Sequence, residues 1–344
     1  MFAPLLSAAV LLGPGTPPLT VRIDSTRHEV ILSLGPFHLP AAPSGEGHEG
    51  MHAGGHDNPL LRFAWPVGGW ARGFRIAIHD VQGRPLSRRL LHHINLLHLE
   101  RRDFLEPIFE RTIAAGQETD DVLLPSSIGV RIESGSEMAL LTAWANESGE
   151  DLHDVMLDLV VPYLADNRMP RPQEIRSFGI DLGFRPGESD AFDIEPGRTV
   201  HQRDFVAPTS GRILAVGGHL HDYAESIALV DQTTGKVLFQ LKPTTDAAGK
   251  VSGVGRKLFG VTGDGLRIRA GRAYRVIAIY QNPLGRTLVN GGMAVLAGVF
   301  APEDAARWPA LDRTDPVFLA DLANLDRLGW VAVAAGGAGG HEHQ

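Results

Sequence analysis

Residues 212–241 decide the fold class, and they read RILAVGGHLHDYAESIALVDQTTGKVLFQL. Apolar runs typical of strands lie at 212–216, 227–230 and 236–241. The turn-forming sequence DQTTG at 231–235 separates the last two runs and predicts a β-hairpin. This stretch therefore predicts consecutive short strands with no helix between them.

The same rhythm continues along the chain, which contains 40 Gly and 23 Pro. Only 103–116 and 314–328 are typical of helices, the second with Asp315 as its start. The pattern predicts an all-β protein, built from two tandem antiparallel β-sandwich (jelly-roll) domains with a short C-terminal helical tail. Further strand-like runs lie at 29–34, 73–78, 138–144, 155–161, 273–280 and 293–300.

The sequence MPRP at 169–172 interrupts the strand rhythm and predicts a domain boundary. We expect an N-terminal domain over 19–170, a C-terminal domain over 171–302 and a tail over 303–344. Residues 1–18 are apolar and then rich in Gly, Pro and Thr, which is typical of a secretory signal or a flexible end. A signal implies a periplasmic or secreted protein. No other stretch is apolar for long enough to span a bilayer.

Composition narrows the class of partner. The formal charge of -8 argues against binding to nucleic acid or to an anionic membrane surface. The absence of cysteine excludes disulfides, thiolate metal sites and cysteine nucleophiles. Motifs for serine catalysis, phosphate binding and dinucleotide binding are also lacking. The 15 histidines are the chemically informative residues, although those at 48, 52, 56, 341 and 343 fall in glycine-rich sequence typical of solvated loops.

His219 and His221 follow an apolar strand, and Met293 begins a later one. Imidazoles at i and i+2 of a strand project from the same face, so one cation can bind both. A thioether as third ligand favours copper, Cu(I) in particular, over zinc or magnesium. Asp222 is placed to accept a hydrogen bond from the imidazole nitrogen that does not face the metal, and so to orient the ring. The alternatives are two surface histidines at a strand end and a methionine that fills the core.

His92 and His93 form a second candidate pair. Adjacent residues of a regular strand point to opposite faces, so these two imidazoles can share a metal only at a β-bulge or a strand end. One buried and one solvent-facing histidine is the alternative.

Taken in order, His92-His93, then His219-x-His221, then Met293 on a late strand resemble the type II copper, ascorbate-dependent monooxygenases, the family of peptidylglycine α-hydroxylating and dopamine β-monooxygenases. The similar stretch runs from about 20 to 302, and the chain would be a divergent, bacterial-type member. The resemblance implies two jelly-roll domains, an oxygen-binding copper at His219, His221 and Met293, and an electron-supplying copper at His92 and His93. It also implies an external reductant such as ascorbate.

The chain departs from that family at several positions. Residues 141–146, where the family has the third electron-site histidine, contain none; His98 and His153 are the substitutes to consider. Gly217, Val295 and Ala297 stand where peptide-hydroxylating members have an arginine and polar groups. We therefore expect one complete copper site, a second incomplete one, and an apolar small-molecule substrate in place of a peptide.

Three alternatives remain at this point. The first is a non-catalytic periplasmic copper-binding or copper-buffering protein with a copper-delivery partner. The histidine-rich segment at 48–56 and the tail with His341 and His343 suit that role. The second is a structural β-sandwich with incidental histidines. The third is a cupin, because His219-x-His221 followed by Glu225 resembles half of a cupin metal motif, although Ile213 stands where that motif has glycine.

Overall fold

A computed structural model describes residues 19–41, 55–146, 148–262 and 264–333. The described chain is mostly β-strand with one longer helix near its C-terminal end, as the sequence predicts. The predicted signal at 1–18, His48, His52, His341 and His343 lie outside the described residues.

The first twelve strands precede residue 166. They are β1 (Leu19–Asp24), β2 (Glu29–Leu39), β3 (Gly55–Asp57), β4 (Leu60–Ala64), β5 (Gly69–Ala71), β6 (Gly73–Asp80), β7 (Leu91–Arg102), β8 (Phe109–Gly116), β9 (Val122–Leu123), β10 (Ile128–Ile132), β11 (Glu137–Ala145) and β12 (Leu152–Ala165).

The remaining strands and the helices follow residue 172. They are β13 (Gln173–Glu174), β14 (Arg176–Asp181), β15 (Phe192–Ile194), β16 (Gly197–Val206), β17 (Gly211–Leu220), β18 (Ala224–Asp231), β19 (Lys236–Leu241), β20 (Pro243–Thr245), β21 (Val251–Val254), β22 (Lys257–Leu258), α1 (Phe259–Thr262), β23 (Leu266–Ile268), β24 (Ala273–Asn282), β25 (Leu288–Gly292), β26 (Ala294–Pro302), α2 (Pro316–Leu328) and β27 (Trp330–Ala332).

The N-terminal strands form two facing sheets. One has the order β1-β2-β12-β5-β10, with β6 also paired to β12, and the other has the order β27-β4-β11-β7-β8. Leu32 and Leu159 of the first sheet pack against Ile94 and Leu140 of the second in a single buried cluster. Because the chain has no disulfide, such side chains, each worth about 1.5–3 kcal/mol when fully buried, hold the sheets together.

The C-terminal strands repeat this arrangement. One sheet has the order β14-β26-β17-β22, with β23 also paired to β17, and the other has the order β16-β24-β18-β19. Val216 and Leu296 of the first sheet share a second buried cluster with Ile227 and Ala278 of the other. The turn-rich segment 166–172 lies between the two sets of strands, at the predicted boundary. The domain limits themselves stay predictions.

Strand order is the same in both pairs of sheets. We count β5 and β6 as one strand interrupted at Arg72, and β22 and β23 as another. The eight principal strands are then β2, β4, β5–β6, β7, β8, β10, β11 and β12 in the first half, and β14, β16, β17, β18, β19, β22–β23, β24 and β26 in the second. In each half they lie in the order first-eighth-third-sixth in one sheet and second-seventh-fourth-fifth in the other. Both halves therefore follow one topological plan, although the sequence shows no internal repeat.

Of the two predicted helices, one is present. Helix α2 begins where predicted, because the Asp315 side chain accepts a hydrogen bond from the Val317 amide at 2.8 Å. Its apolar side, Phe318 and Leu325, covers the outer face of the β7–β8 sheet. The helix predicted over 103–116 is wrong: residues 109–116 form strand β8, which pairs with β7.

Candidate metal centre

Strand register brings His219, His221 and Met293 together. In the antiparallel pair of β17 and β26, His219 lies opposite Val295 and Leu220 opposite Ala294. One residue further on, the His221 amide donates a hydrogen bond to the Met293 carbonyl at 3.2 Å. Opposed residues of an antiparallel pair project from the same face, so the thioether and both imidazoles belong to one surface of this sheet.

Two glycines beside these residues allow the chains to approach closely. A Cβ atom at Gly218 would lie 2.6 Å from the Val295 carbonyl oxygen, and one at Gly292 would lie 2.3 Å from the Phe192 ring. A larger residue at either position would push the β17 and β25–β26 segments away from their neighbours. Gly218 and Gly292 are therefore required by packing around the site.

Each imidazole is oriented through its Nδ1 atom. Nδ1 of His221 lies 3.1 Å from the Gly291 carbonyl, which can only accept, so Nδ1 carries the proton. Nδ1 of His219 lies 2.7 Å from Oε1 of Glu118. The ring centroids of the two histidines are 4.9 Å apart. A protonated Nδ1 assigns Nε2 to metal ligation, and an acceptor behind the ring is the usual support for a metal-binding histidine.

The His219–Glu118 pair joins the two halves of the molecule. Glu118 follows β8, and its side chain is only 4% exposed, whereas that of His219 is 27% exposed. Burial lowers the pKa of His219, but the Glu118 carboxylate outweighs this and holds the pKa above its ordinary value. Burial raises the pKa of Glu118, but His219 outweighs it and lowers that pKa. Each group thus stabilises the charged form of the other.

Asp222, the predicted orienting carboxylate, makes a different contact. Its Oδ1 accepts a hydrogen bond from the Val251 amide at 2.8 Å and so fixes the loop that follows β17. The carboxylate that contacts an imidazole is Glu118, which lies 101 residues away from His219 in sequence. No local motif marks such a long-range partner, which is why sequence reasoning missed it.

His92 and His93 lie at an irregularity of β7. In its pairing with β11, Leu91 lies opposite Trp144 and His93 opposite Ala143, so His92 is the extra residue of a β-bulge. The two rings have centroids 5.0 Å apart, and both residues line the same cavity. The structure therefore has the bulge that a shared site requires.

No third His, Asp or Glu ligand for this pair is found among the described residues. His98 is 1% exposed and buried further along β7, where burial together with Arg101 lowers its pKa to about 3. His153 lies beside His38 instead. Within the described ranges, the group of three or more His, Asp or Glu side chains close enough to share a metal contains neither His92 nor His93.

A cavity of about 1300 Å³ lies between the N-terminal and C-terminal sheets, and its lining includes His92, His93, His219 and Met293 but not the buried His221. One wall is formed by the outward face of β17 and β26. The three positions at which the chain departs from the peptide-hydroxylating enzymes, Gly217, Val295 and Ala297, all lie on this wall. These three residues are small or apolar, whereas Arg212 and Arg256 also line the cavity.

The cavity also contains an arginine among carboxylates, one of which, Asp181 of β14, lies opposite Val295 of β26. Burial lowers the pKa of Arg111, but surrounding carboxylates, Asp321 foremost, outweigh it and raise that pKa. Burial raises the pKa of Asp103 to about 7, and burial with the nearby charge of Asp190 does the same for Asp181. These groups come from distant parts of the sequence, so no spacing could have predicted them.

Two further sequence-based expectations concern the cupin-like motif and membrane-spanning segments. Glu225, the third residue of the cupin-like motif, forms an ion pair with Arg198 at 3.7 Å. Among the described residues, no helix is both long and apolar enough to cross a bilayer.

Comparisons with known proteins reveal only remote likenesses. No family model matches the chain. No curated protein matches it either. A chain from the atomic structure of Sulfolobus turreted icosahedral virus is 10% identical, with 72% of this chain and 59% of that one covered, at a TM-score of 0.21. PNGF-II is 10% identical, with coverages of 83% and 62%, at 0.27. A chain of infectious bursal disease virus strain Gt is 12% identical, with coverages of 94% and 93%, at 0.19.

The matched region spans about three fifths of the length of the first two structures. At these TM-scores, none of the likenesses bears on what the protein does.

Proposed function

We propose that this chain is a copper-binding protein of the monooxygenase-like type. It would hold one copper through His219, His221 and Met293, at the wall of a cavity that receives a small molecule. The observation that carries the proposal is the pair of Nδ1 contacts, to Glu118 Oε1 at 2.7 Å and to the Gly291 carbonyl at 3.1 Å, beside a methionine in register.

The donor set fits copper. Two imidazoles and a thioether form a soft set that favours Cu(I), whereas zinc and magnesium sites draw on thiolate, imidazole or oxygen ligands. His221 is 5% exposed and His219 lies at the cavity, so the two imidazoles span the boundary between protein interior and cavity. A metal held there by three protein ligands would retain an open position towards the cavity.

Copper, when bound, supplies one-electron chemistry with dioxygen. The chain's own residues have other tasks. Glu118 and the Gly291 carbonyl keep the Nδ1 protons and fix both ring planes. Val295 and Ala297 provide an apolar surface against which a C–H bond of a small substrate can lie. Gly217 stands where peptide-hydroxylating members have an arginine, and Val295 and Ala297 are apolar, so we propose a small apolar substrate.

The second functional candidate is copper binding without turnover. It is favoured by the His92-His93 pair, which faces the cavity with two imidazoles and without a third described ligand. Two-copper chemistry with an external reductant such as ascorbate needs that site filled, whereas copper buffering and transfer to a delivery partner need only the first. A periplasmic or secreted location suits both candidates.

The shared strand order supports a further part of the proposal. Eight strands in two sheets, ordered first-eighth-third-sixth and second-seventh-fourth-fifth, are the arrangement that two interlocked Greek keys produce. We therefore propose that each half is a jelly roll and that copper would lie on the outer face of the second one.

Copper stoichiometry tests the proposed function. The full chain, with alanine at His48, His52, His341 and His343, would be loaded anaerobically with Cu(I) and desalted. We expect one copper per chain, lost in His219→Ala and kept in His92→Ala. Two coppers would favour the monooxygenase over the buffering protein, and ascorbate-dependent oxygen uptake could then be measured. No retained copper would contradict the proposal.

A further inference from the structure

A second cluster of metal-ligand side chains lies where β2 ends and β12 begins, and none of its members lines the cavity. His38, Asp151 and His153 have ligand atoms that all lie within 4.8 Å of one another. All three side chains are exposed. His38 and His153 are 115 residues apart in sequence, so no spacing pattern identifies them as partners.

A β-bulge creates this cluster. Strand β2 pairs with β12 so that Leu39 lies opposite Leu152 and Phe37 opposite Val155. His38 therefore faces the two residues His153 and Asp154, and Asp154 adopts a left-handed conformation with φ of 58°. The bulge turns the His153 ring onto His38: the two rings stack with centroids 4.2 Å apart and planes 9° apart.

The carboxylate is fixed next to the rings. One oxygen of Asp151 accepts a hydrogen bond from the Ala41 amide at 2.8 Å, and the other lies 3.8 Å from Nε2 of His38. Beneath them, buried Asn146 donates to the carbonyls of Leu39 and Glu150, at 2.9 and 2.8 Å. The two backbone segments that carry His38 and Asp151 are thus tied to each other by a buried side chain.

We propose that His38, Asp151 and His153 form a surface site for a divalent transition cation, with Zn²⁺ as its best representative. Two imidazoles and one carboxylate are a donor set that zinc uses, with a fourth position left to water. Tetrahedral ligands about 2.0–2.1 Å from zinc lie roughly 3.3 Å apart, so the side chains need to converge by about 1.5 Å at most. Exposed side chains at a strand end can make that adjustment by rotation.

This site differs in chemistry from the one at the cavity. It contains no sulfur, so it lacks the ligand that favours Cu(I) at Met293, and its nitrogen and oxygen donors suit divalent ions. Its residues come only from β2, β12 and the turn before β12, so no part of the C-terminal sheets is needed. The inference is therefore independent of the proposed copper site.

The test is a titration of the full chain with Zn²⁺ alone, against a chromophoric chelator. His38→Ala, His153→Ala and their double variant would be compared in a background with alanine at His48, His52, His341 and His343, so that the histidine-rich ends do not contribute. His79→Ala is the matched control, because His79 also lies 3.3 Å from a carboxylate of β12, that of Asp158, but has no second imidazole beside it.

We expect each single variant to lower the affinity of one Zn²⁺ equivalent on the order of 10- to 100-fold or more, the loss that even outer partners of a metal cause when removed. The double variant should bind that equivalent more weakly than either single variant, and His79→Ala should behave as the parent chain does. Asp151→Asn, which keeps the hydrogen bond from Ala41, should weaken the same equivalent. Zn²⁺ should also raise the melting temperature of the parent but not of the double variant.

Unchanged Zn²⁺ affinity in His38→Ala and His153→Ala would overturn the proposal. So would a loss of different Zn²⁺ equivalents in the two single variants, since this indicates two independent single-histidine contacts. The unliganded melting temperatures report on folding, and they should be equal because the substituted side chains are exposed. Whether the Zn²⁺ titration supports or overturns this site, Cu(I) binding at His219 is unaffected. The two proposals can therefore fail separately.

Discussion

Two histidine pairs lie at the cavity between the two pairs of sheets, His92 and His93 in its lining and His219 beside the buried His221, and they differ in the contacts that the structure shows. His219 and His221 each have an acceptor at Nδ1 and a methionine in register. His92 and His93 share a β-bulge with ring centroids 5.0 Å apart, but the described chain offers them no third His, Asp or Glu ligand. Ring separation is nearly equal, at 4.9 and 5.0 Å.

The distance between the rings therefore does not distinguish the two pairs, whereas the Nδ1 contacts of His219 and His221 are features of one pair that can be tested. At His219 the orienting carboxylate comes from the other half of the chain, so the fold must be assembled before the site exists. A pair beside an orienting carboxylate and a methionine should bind metal more tightly than a pair without a third described His, Asp or Glu ligand, and the following variants measure by how much.

Loss of His219 should have the largest effect. His219→Ala removes one of two imidazoles and leaves Glu118 buried without its partner, so we expect Cu(I) affinity to fall by more than about 100-fold. His92→Ala should leave affinity unchanged. Competition with a Cu(I) chelator measures both, and equal losses would mean that the two pairs form a single site.

Loss of Met293 should separate the two oxidation states of copper. Because a thioether is a soft ligand, Met293→Ala should weaken Cu(I) binding about 10-fold or more and Cu(II) binding much less. Met169→Ala is the control, since that side chain is 77% exposed. Parallel titrations with each ion provide the measurement, and equal losses for both would rule out a thioether ligand.

Replacement of Glu118 should have a smaller effect. Glu118→Gln can still accept the His219 hydrogen bond but no longer supplies a negative charge, so we expect Cu(I) affinity to fall about 10-fold. Glu137→Gln, which alters an exposed ion pair with Arg62, should have no effect. A Glu118→Gln protein with parental affinity would show that the carboxylate serves only to join the two halves.

The acidic side of the cavity should make stability depend on pH. Burial raises the pKa of Asp103 to about 7, above its unfolded value of 3.8, so its contribution to stability is full below pH 3.8 and is lost as the pH rises through 7. Asp103→Asn should therefore flatten the fall in stability between about pH 4 and pH 7, as measured by urea unfolding.

Asp312→Asn is the control for this effect. The pKa of Asp312 is lowered by its hydrogen bonds from Thr314, so its contribution is present above pH 3.8 and is lost only as the pH falls below that value. An Asp103→Asn protein with the parental slope would mean that Asp103 does not titrate in this range.

The sequence predicts much of the fold because its signals are local. Apolar runs between turn residues predict strands, and Asp315 before Pro316 predicts the start of α2. The prediction failed at 109–116, where pairing with β7 decides the structure despite the alanines at 114 and 115. Tertiary pairing of this kind leaves no local pattern.

The candidate site is predictable only in part. The His219-x-His221 spacing is local, and Met293 was singled out by its place in the order of motifs. Glu118 and the His38–His153 stack depend on long-range packing, and in the second case on a bulge that no turn residue announces. Side chains that are brought together by sheet packing can be identified only from the three-dimensional structure.

The most direct test of the central claim is copper K-edge X-ray absorption of the Cu(I)-loaded full chain, with alanine at the histidines outside the described ranges. We expect a first coordination shell of two imidazole nitrogens and one sulfur, and loss of the sulfur in Met293→Ala with both nitrogens retained. A shell of nitrogen and oxygen alone, or a sulfur that survives in Met293→Ala, would contradict a copper site at His219, His221 and Met293.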